Sequence, residues 1–329
     1  MMTNNISKEE RILIAGSNGM AGSAIVRSLK RAGYGNINSN GVLLTPSRNE
    51  LNLLNPIEVE DWFEINKPSV VIIAAAKVGG ILANSTFPFE FLMENIKIQN
   101  NLIETSWKRK VKRLLFLGSS CIYPKYAEQP IREESLLDGK LEKTNESYAI
   151  AKISGIKLCE SLRKQYGFDA ISLMPTNLYG PNDNYHPEHS HVMASLIYKF
   201  YKASKNNLPF VSCWGSGTPE REFMHVNDLG EAVVFALEKW SPDSINAPKD
   251  DWGKPLNFLN VGTGKDISIK LLAEKISSIV NFQGDIVWDK SKPDGTPKKQ
   301  LDISRLISLG WKPKVTLEQG IVDTISCLD

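Results

Sequence analysis

The chain reads as an α/β protein, a Rossmann-type doubly wound parallel sheet with a smaller C-terminal α/β part. Three observations predict it. Short apolar runs alternate with helical stretches through the first half of the 329 residues, and such alternation builds right-handed βαβ crossovers and a parallel sheet. Two of the runs, VVIIAAA and RLLFL, are apolar at nearly every position, as strands covered on both faces require. Glycines at 16, 19 and 22 fall between the first run and the first helix, where a tight turn lets backbone approach a pyrophosphate.

Taken in order, RILIA (11–15) is the first strand and AGSAIVRSLKRAG the helix after it. GVLLT (41–45) is the second strand. NPIEVEDWFEINK (55–67) is a helix with Asn55 as N-cap and Pro56 at its first position. SVVIIAAA (69–76) is the third strand, followed by a long helix, FPFEFLMENIKIQNNLIETSWKRK. RLLFLGS (113–119) is the fourth strand, SYAIAKISGIKLCESLRKQYG (147–167) a helix, and DAISLMPTN (169–177) the fifth strand. The pattern then loosens into loops rich in Pro, Asn and Gly at 179–191, 241–255 and 291–299. Residues 1–178 are therefore expected to form a dinucleotide-binding domain. Residues 179–329 mainly form the second part, with late strands and helices able to return to the core.

Composition excludes several classes. At 42% hydrophobic and 23% charged, with net charge +2, the chain has neither the sparse core of a disordered protein nor the basic surface of a nucleic-acid binder. The densest basic run, KRKVKR (108–113), reads as a solvated helix end. The four cysteines, 121, 159, 213 and 327, show no metal-finger spacing. The stretch MMTNNISKEERILIAG lacks an apolar signal core, and no apolar run reaches the roughly 18 residues of a membrane span. A cytoplasmic protein with reduced thiols is expected.

The turn GSNGMAG, with Gly16, Ser17, Asn18, Gly19, Met20 and Gly22, opens a helix whose free N–H groups suit an anion. NAD sites carry a carboxylate at the tip of the second strand, and NADP sites favour an arginine. Here Arg48 is the first charge after that strand, which favours NADP(H); Glu50, two residues on, keeps NAD in play. Tyr148 and Lys152 stand four residues apart in a helical pattern, one turn apart on one face. A nearby ammonium lowers a phenol's pKa, and the phenol can then protonate a carbonyl oxygen as hydride arrives. Ser119, at a strand tip, can hydrogen-bond the same oxygen.

With AAAKVGGI, LLFLGSSCIYP, EKTNESYAIAK, MPTNLYGP, HPEHSHV, WGSGTPEREFMHV, NVGTG and KPDGTPKK, the chain resembles the extended short-chain dehydrogenase/reductase superfamily from Ile12 to about Trp311. Within it the motifs resemble the GDP-L-fucose synthase family, GDP-4-keto-6-deoxy-D-mannose 3,5-epimerase/4-reductases. The resemblance implies NADPH as cofactor, a GDP-sugar substrate and a homodimer. It implies Cys121 as base and His191 as acid in the epimerisations, with Ser119, Tyr148 and Lys152 guiding hydride to C4. A thiol and an imidazole both exchange protons near neutral pH. Asn52, Leu53, Leu117, Gly118, Pro175, Asn177, Leu178 and His191 then join the turn, Arg48 and Lys152 at the cofactor. Lys199, Trp214, Arg221, Asp294 and Lys299 fall at the substrate end, with Lys298 a weaker candidate.

Cys159, Cys213 and Cys327 are read as small buried hydrophobes. His186, His189 and His191 lack a fourth ligand and are not read as a metal site; His225 is read as structural, beside a helix cap. Ser17 and Asn18 replace basic or imidazole side chains common in the family, leaving Arg48 to face a 2′-phosphate. The segments 34–41 and 241–255 look like insertions in surface loops. A nucleotide-sugar 4-epimerase would not need the thiol and imidazole, and a 4,6-dehydratase would show acidic residues after the strand-tip serine. A silent dinucleotide-binding module need not keep five reactive groups.

Overall fold

The computed structural model describes residues 4–36, 39–186, 190–292 and 294–328. Its strands are β1 (Arg11–Ala15), β2 (Val42–Leu44), β3 (Val70–Ile73), β4 (Arg113–Leu117), β5 (Ala170–Pro175), β6 (Asn177–Tyr179), β7 (Phe210–Trp214), β8 (Glu220–His225), β9 (Phe258–Val261), β10 (Asp266–Ser268), β11 (Asp285–Asp289) and β12 (Lys298–Lys299). Its helices are α1 (Met20–Arg31), α2 (Pro56–Asn66), α3 (Ile81–Thr86), α4 (Pro88–Lys108), α5 (Glu146–Tyr166), α6 (Val192–Lys205), α7 (Val226–Lys239), α8 (Ile269–Ile279), α9 (Ser304–Ser308) and α10 (Leu317–Ile325).

Six strands form a parallel sheet in the order β2-β1-β3-β4-β5-β9. The order reverses between β1 and β3, and ligands of such sheets bind beyond the carboxyl ends at that switch point. β1, β3, β4 and β5 are buried almost throughout, which explains their continuous apolar sequences. Ile25 and Leu29 of α1 pack with Val233, Leu237 and Trp240 on one face of the sheet. Phe63, Leu102, Ile103 and Ile156, from α2, α4 and α5, cover the other. Asn55 caps α2 as expected, its side chain accepting from the Ile57 and Glu58 N–H groups.

The second half builds two smaller sheets. β8 pairs antiparallel with β10 and parallel with β12 and β6, and β7 pairs parallel with β11. Ile197, Phe200, Ile276 and Phe282 make a third core there. The halves are interlocked: β9 extends the main sheet, and Met224, Leu229, Val233 and Leu259 share one core with Ile12, Ile25 and Leu29.

Four local readings change. The fifth strand breaks at Thr176, and its second piece, β6, leaves the main sheet to pair with β8. The short helix α3 precedes the long α4. Arg113 is not part of a solvated helix end: it is buried, bonded to Asp169 at 2.6 Å and to the Trp240 carbonyl. Cys327 is exposed rather than buried. Among the described residues no helix is long and apolar enough to cross a membrane.

Candidate active site

A cleft of about 970 Å³ opens at the carboxyl ends of the central strands and runs from the glycine turn to Asp294. The residues expected to hold cofactor, perform chemistry or meet the sugar all line this one cleft, apart from the weaker candidate Lys298. His189 lies outside the described residues. Among the described residues no cluster of three or more His, Cys, Asp or Glu side chains could hold a metal.

The glycine turn is sterically obligatory at two of its three positions. Gly16 has φ +86°, and a Cβ there would stand 2.7 Å from the Ala75 backbone, at the tip of β3. A Cβ on Gly22 would stand 2.0 Å from the Gly16 carbonyl oxygen. Gly19 is the N-cap of α1 and makes no side-chain cap, so the first N–H groups of the helix face the cleft bare. The Ser17 hydroxyl is buried without a partner. A dinucleotide pyrophosphate fits this cradle: bare backbone donors, an orphaned hydroxyl and the helix dipole all favour an anion. Arg48 is exposed at the rim. Glu50 turns away, accepting the Ser47 N–H at 2.7 Å.

At the tip of β4, Gly118 packs so tightly that a Cβ would meet the Met174 sulfur at 2.3 Å. Ser119 then adopts extended backbone and caps a single 3-10 turn, 120–122, its Oγ accepting the Cys121 N–H at 3.3 Å. That turn carries the thiol to the cleft wall. Behind it, the Tyr123 hydroxyl donates to Asn260 Oδ1 on β9 at 2.6 Å, which ties the turn to the sheet. This is the local reason for a cysteine two residues after the serine: the turn presents both side chains to one space.

Lys152 is buried and donates to the Leu117 carbonyl at 2.8 Å, 5.9 Å from the Tyr148 ring centre. Burial brings its pKa down to about 7. Tyr148 does not show the lowered value expected of a phenol beside an ammonium. Burial pushes it up, the charge of Cys121 adds to that, and a hydrogen bond with Ser119 offsets part of it. The phenol is thus held protonated, which suits a proton donor.

Cys121 is half-buried, and Lys299 Nζ donates to its sulfur at 3.8 Å. His191 is the N-cap residue of α6. His191 keeps solvent-accessible surface on the open cleft; partial desolvation among the cleft walls lowers its pKa and the Lys299 charge lowers it further, so the imidazolium is a stronger acid. Arg221 lies opposite Lys299 across the β8–β12 pair. Further out, Lys199 and Lys292 stand 5.6 and 5.2 Å over the Trp214 ring, and Lys199 donates to the Ser212 carbonyl at 3.0 Å. Asp294 accepts the Ser216 N–H at 3.0 Å and its hydroxyl at 2.7 Å, joining two loops of the rim.

Sequence reasoning missed several lining residues. Lys77 pairs with Glu94 at 2.6 Å inside the cleft. Asp183 keeps one carboxylate oxygen without a partner, and burial raises its pKa to about 6. Lys77 lies in AAAKVGGI and Asp183 follows MPTNLYGP, so the motifs marked the places. Nothing in residue type or spacing marked the roles.

A glycine turn at the switch point of a parallel sheet, with Ser, Tyr and Lys side chains beside it, defines a class. The chain belongs to the NAD dependent epimerase/dehydratase family, whose sequence profile matches residues 12–247. It is 50% identical to a probable GDP-L-fucose synthase of Oryza sativa subsp. japonica, over 96% of this chain and 91% of that one. It is 48% identical to the GDP-L-fucose synthase of Escherichia coli K12, over 96% and 95%. Among solved structures it is similar to a GDP-mannoheptose C4 reductase from Campylobacter jejuni with NADP bound. That match has TM-score 0.85 and 33% identity, over 98% of this chain and 99% of that one.

Proposed function

We propose that this protein converts GDP-4-keto-6-deoxy-D-mannose to GDP-L-fucose, by epimerisation at C3 and C5 followed by NADPH-dependent reduction of the 4-ketone. The observation that carries the reading is that Cys121 and His191 share one cleft with Ser119, Tyr148 and Lys152. A reductase needs only the last three. Inverting a carbon needs a proton taken from one face and returned on the other, hence two further proton carriers.

The 4-ketone acidifies the hydrogens on C3 and C5. Cys121 removes the proton, and the electron pair left on carbon moves into the ketone oxygen. Ser119 and Tyr148 donate hydrogen bonds to that oxygen, as an oxyanion hole does. His191 returns a proton from the opposite face. In the second reaction NADPH, when bound, supplies hydride to C4. Tyr148 gives its proton to the oxygen, with Lys152, anchored on the Leu117 carbonyl, one helical turn away. The 16–22 turn and the α1 N-terminus would hold the pyrophosphate, with Arg48 toward the 2′-phosphate. Asn52, Leu53, Gly118, Pro175, Asn177 and Leu178 would line the rest of the cofactor path. Lys199 and Arg221 would meet the GDP diphosphate, bidentate in the case of Arg221, and Trp214 and Asp294 would close the nucleotide end.

Residues 1–178 supply the cofactor half and residues 179–329 mainly the sugar half. The protein is proposed to act as a cytoplasmic homodimer. The exposed Phe89 and Ile150 on α4 and α5 support an apolar contact between copies. NADPH oxidation at 340 nm with GDP-4-keto-6-deoxy-D-mannose tests the function. GDP-L-fucose should appear in step with NADPH loss. Reduction to a product that keeps the substrate's C3 and C5 configuration would instead make the protein a plain 4-reductase.

A further inference from the structure

We infer that Lys299 is a catalytic residue of the epimerisation: its ammonium, touching the Cys121 sulfur, holds that side chain as the thiolate that takes the proton. The inference rests on the reading of Cys121 as base. It assigns Lys299 to the thiol rather than to the nucleotide.

Neighbouring lysines on β12 make the contrast. Lys298 is neutralised on one side of the strand, by Glu220 at 3.0 Å and Asp266 at 2.7 Å. Lys299, whose side chain leaves the strand on the other side, lines the cleft. Among the described residues no carboxylate forms an ion pair with it; the group it meets is the Cys121 sulfur, 3.8 Å away. Arg221 stands directly opposite on β8, and among the described residues it too has no carboxylate ion pair. Like charges opposite one another across strands are destabilising. With Arg221 placed toward the substrate diphosphate, the Cys121 sulfur is the group on this chain that the Lys299 ammonium meets.

The pair is built, not incidental. Between Arg221 and Phe223 lies Glu222, fully buried. Its carboxylate accepts the backbone N–H groups of Thr263 and Gly264 on one oxygen and of Leu301 on the other. It thereby fixes β12, two residues before Leu301, against β8, and sets Lys299 beside Arg221.

Charge on Lys299 acts on both proton carriers, raising the acidity of the His191 imidazolium at the expense of its population. It favours the thiolate over the thiol, and it disfavours the imidazolium of His191, which makes that group a more willing donor. The proton balance closes. Thiolate, imidazolium and the substrate C–H become thiol, neutral imidazole and the inverted C–H, and proton exchange with water resets the pair. The other ionisable groups around the thiol are Tyr148, a protonated phenol, and Glu142, which is occupied by Lys125 at 2.7 Å.

The test is alkylation of Cys121 by iodoacetamide, a neutral reagent, at pH 7, followed by mass spectrometry of the Cys121 peptide. The exposed Cys327 is the internal reference. In Lys299→Met the Cys121 rate should fall about five- to tenfold while the Cys327 rate is unchanged. Lys299→Arg, which keeps the charge, should retain the rate of the unaltered protein. An unaltered Cys121 rate in Lys299→Met overturns the inference, as does an equal loss in Lys299→Arg. Should Lys299→Met unfold, which alkylation of the buried Cys159 reports, Lys299→Gln is read by the same criteria. No nucleotide sugar is present, so the outcome is independent of whether the protein makes GDP-L-fucose.

Discussion

Lys152 carries a cost that its proposed role explains. Burial lowers its pKa from 10.5 to about 7. The folded value lies below the unfolded one, so between these two pH values the unfolded chain binds the extra proton and stability rises with pH. Below pH 7 both states are protonated and the full cost is present. Lys152→Met should therefore melt at a higher temperature than the unaltered protein at pH 6.5, with the gain shrinking toward pH 10. NADPH oxidation should fall about 100-fold or more. Melting curves across that pH range check it, and a lower melting temperature at pH 6.5 would contradict the account. At this scale the sequence showed which residues matter and not what each contacts. Tyr148 and Lys152 were visible from their spacing, but the phenol's upward shift depends on burial that spacing does not reveal. Lys299 was legible as a cation near the substrate; its contact with Cys121 spans 178 positions and has no local signal.

Elements position these residues through a few buried joints, and Glu222 is the most exacting. A Cβ on Gly262 would approach its Oε1 to 2.1 Å, so the loop after β9 sits directly on the carboxylate. Burial raises the Glu222 pKa, and the three backbone donors oppose that shift. Glu222→Gln would turn an NH₂ group against one set of those donors. It is expected to cost about 2–4 kcal/mol, read as a lower midpoint in urea unfolding. An unchanged midpoint would show that the clamp is not needed. The first five strands were legible because buried parallel strands are continuously apolar. β6 was not, because the LMPTNLYG stretch gives no hint that the chain changes sheets at Thr176. α3 escaped because its six residues are too short for a helical period to show.

At the scale of the whole molecule, the cleft exists because the two halves share structure. Ser119, Cys121, Tyr148 and Lys152 come from the end of β4, the turn after it and α5, and His191, Arg221 and Lys299 from beyond residue 179. β9 and α7, both late in the chain, pack into the first half's core, which keeps the two sets of side chains in register. The motifs alone made the composite site legible in the sequence, whereas the interlocking rests on long-range pairings that no periodicity encodes. On the proposed mechanism, one cleft performs both epimerisation and reduction, with Cys121 as the proton-removing group. Its most direct test is the reaction in heavy water, comparing the unaltered protein with Cys121→Ser and reading deuterium at C3 and C5 of the sugar. The unaltered protein should make GDP-L-fucose labelled at both carbons, and Cys121→Ser should lose the label while retaining NADPH binding. Label incorporated equally by both proteins, or by neither, would contradict it.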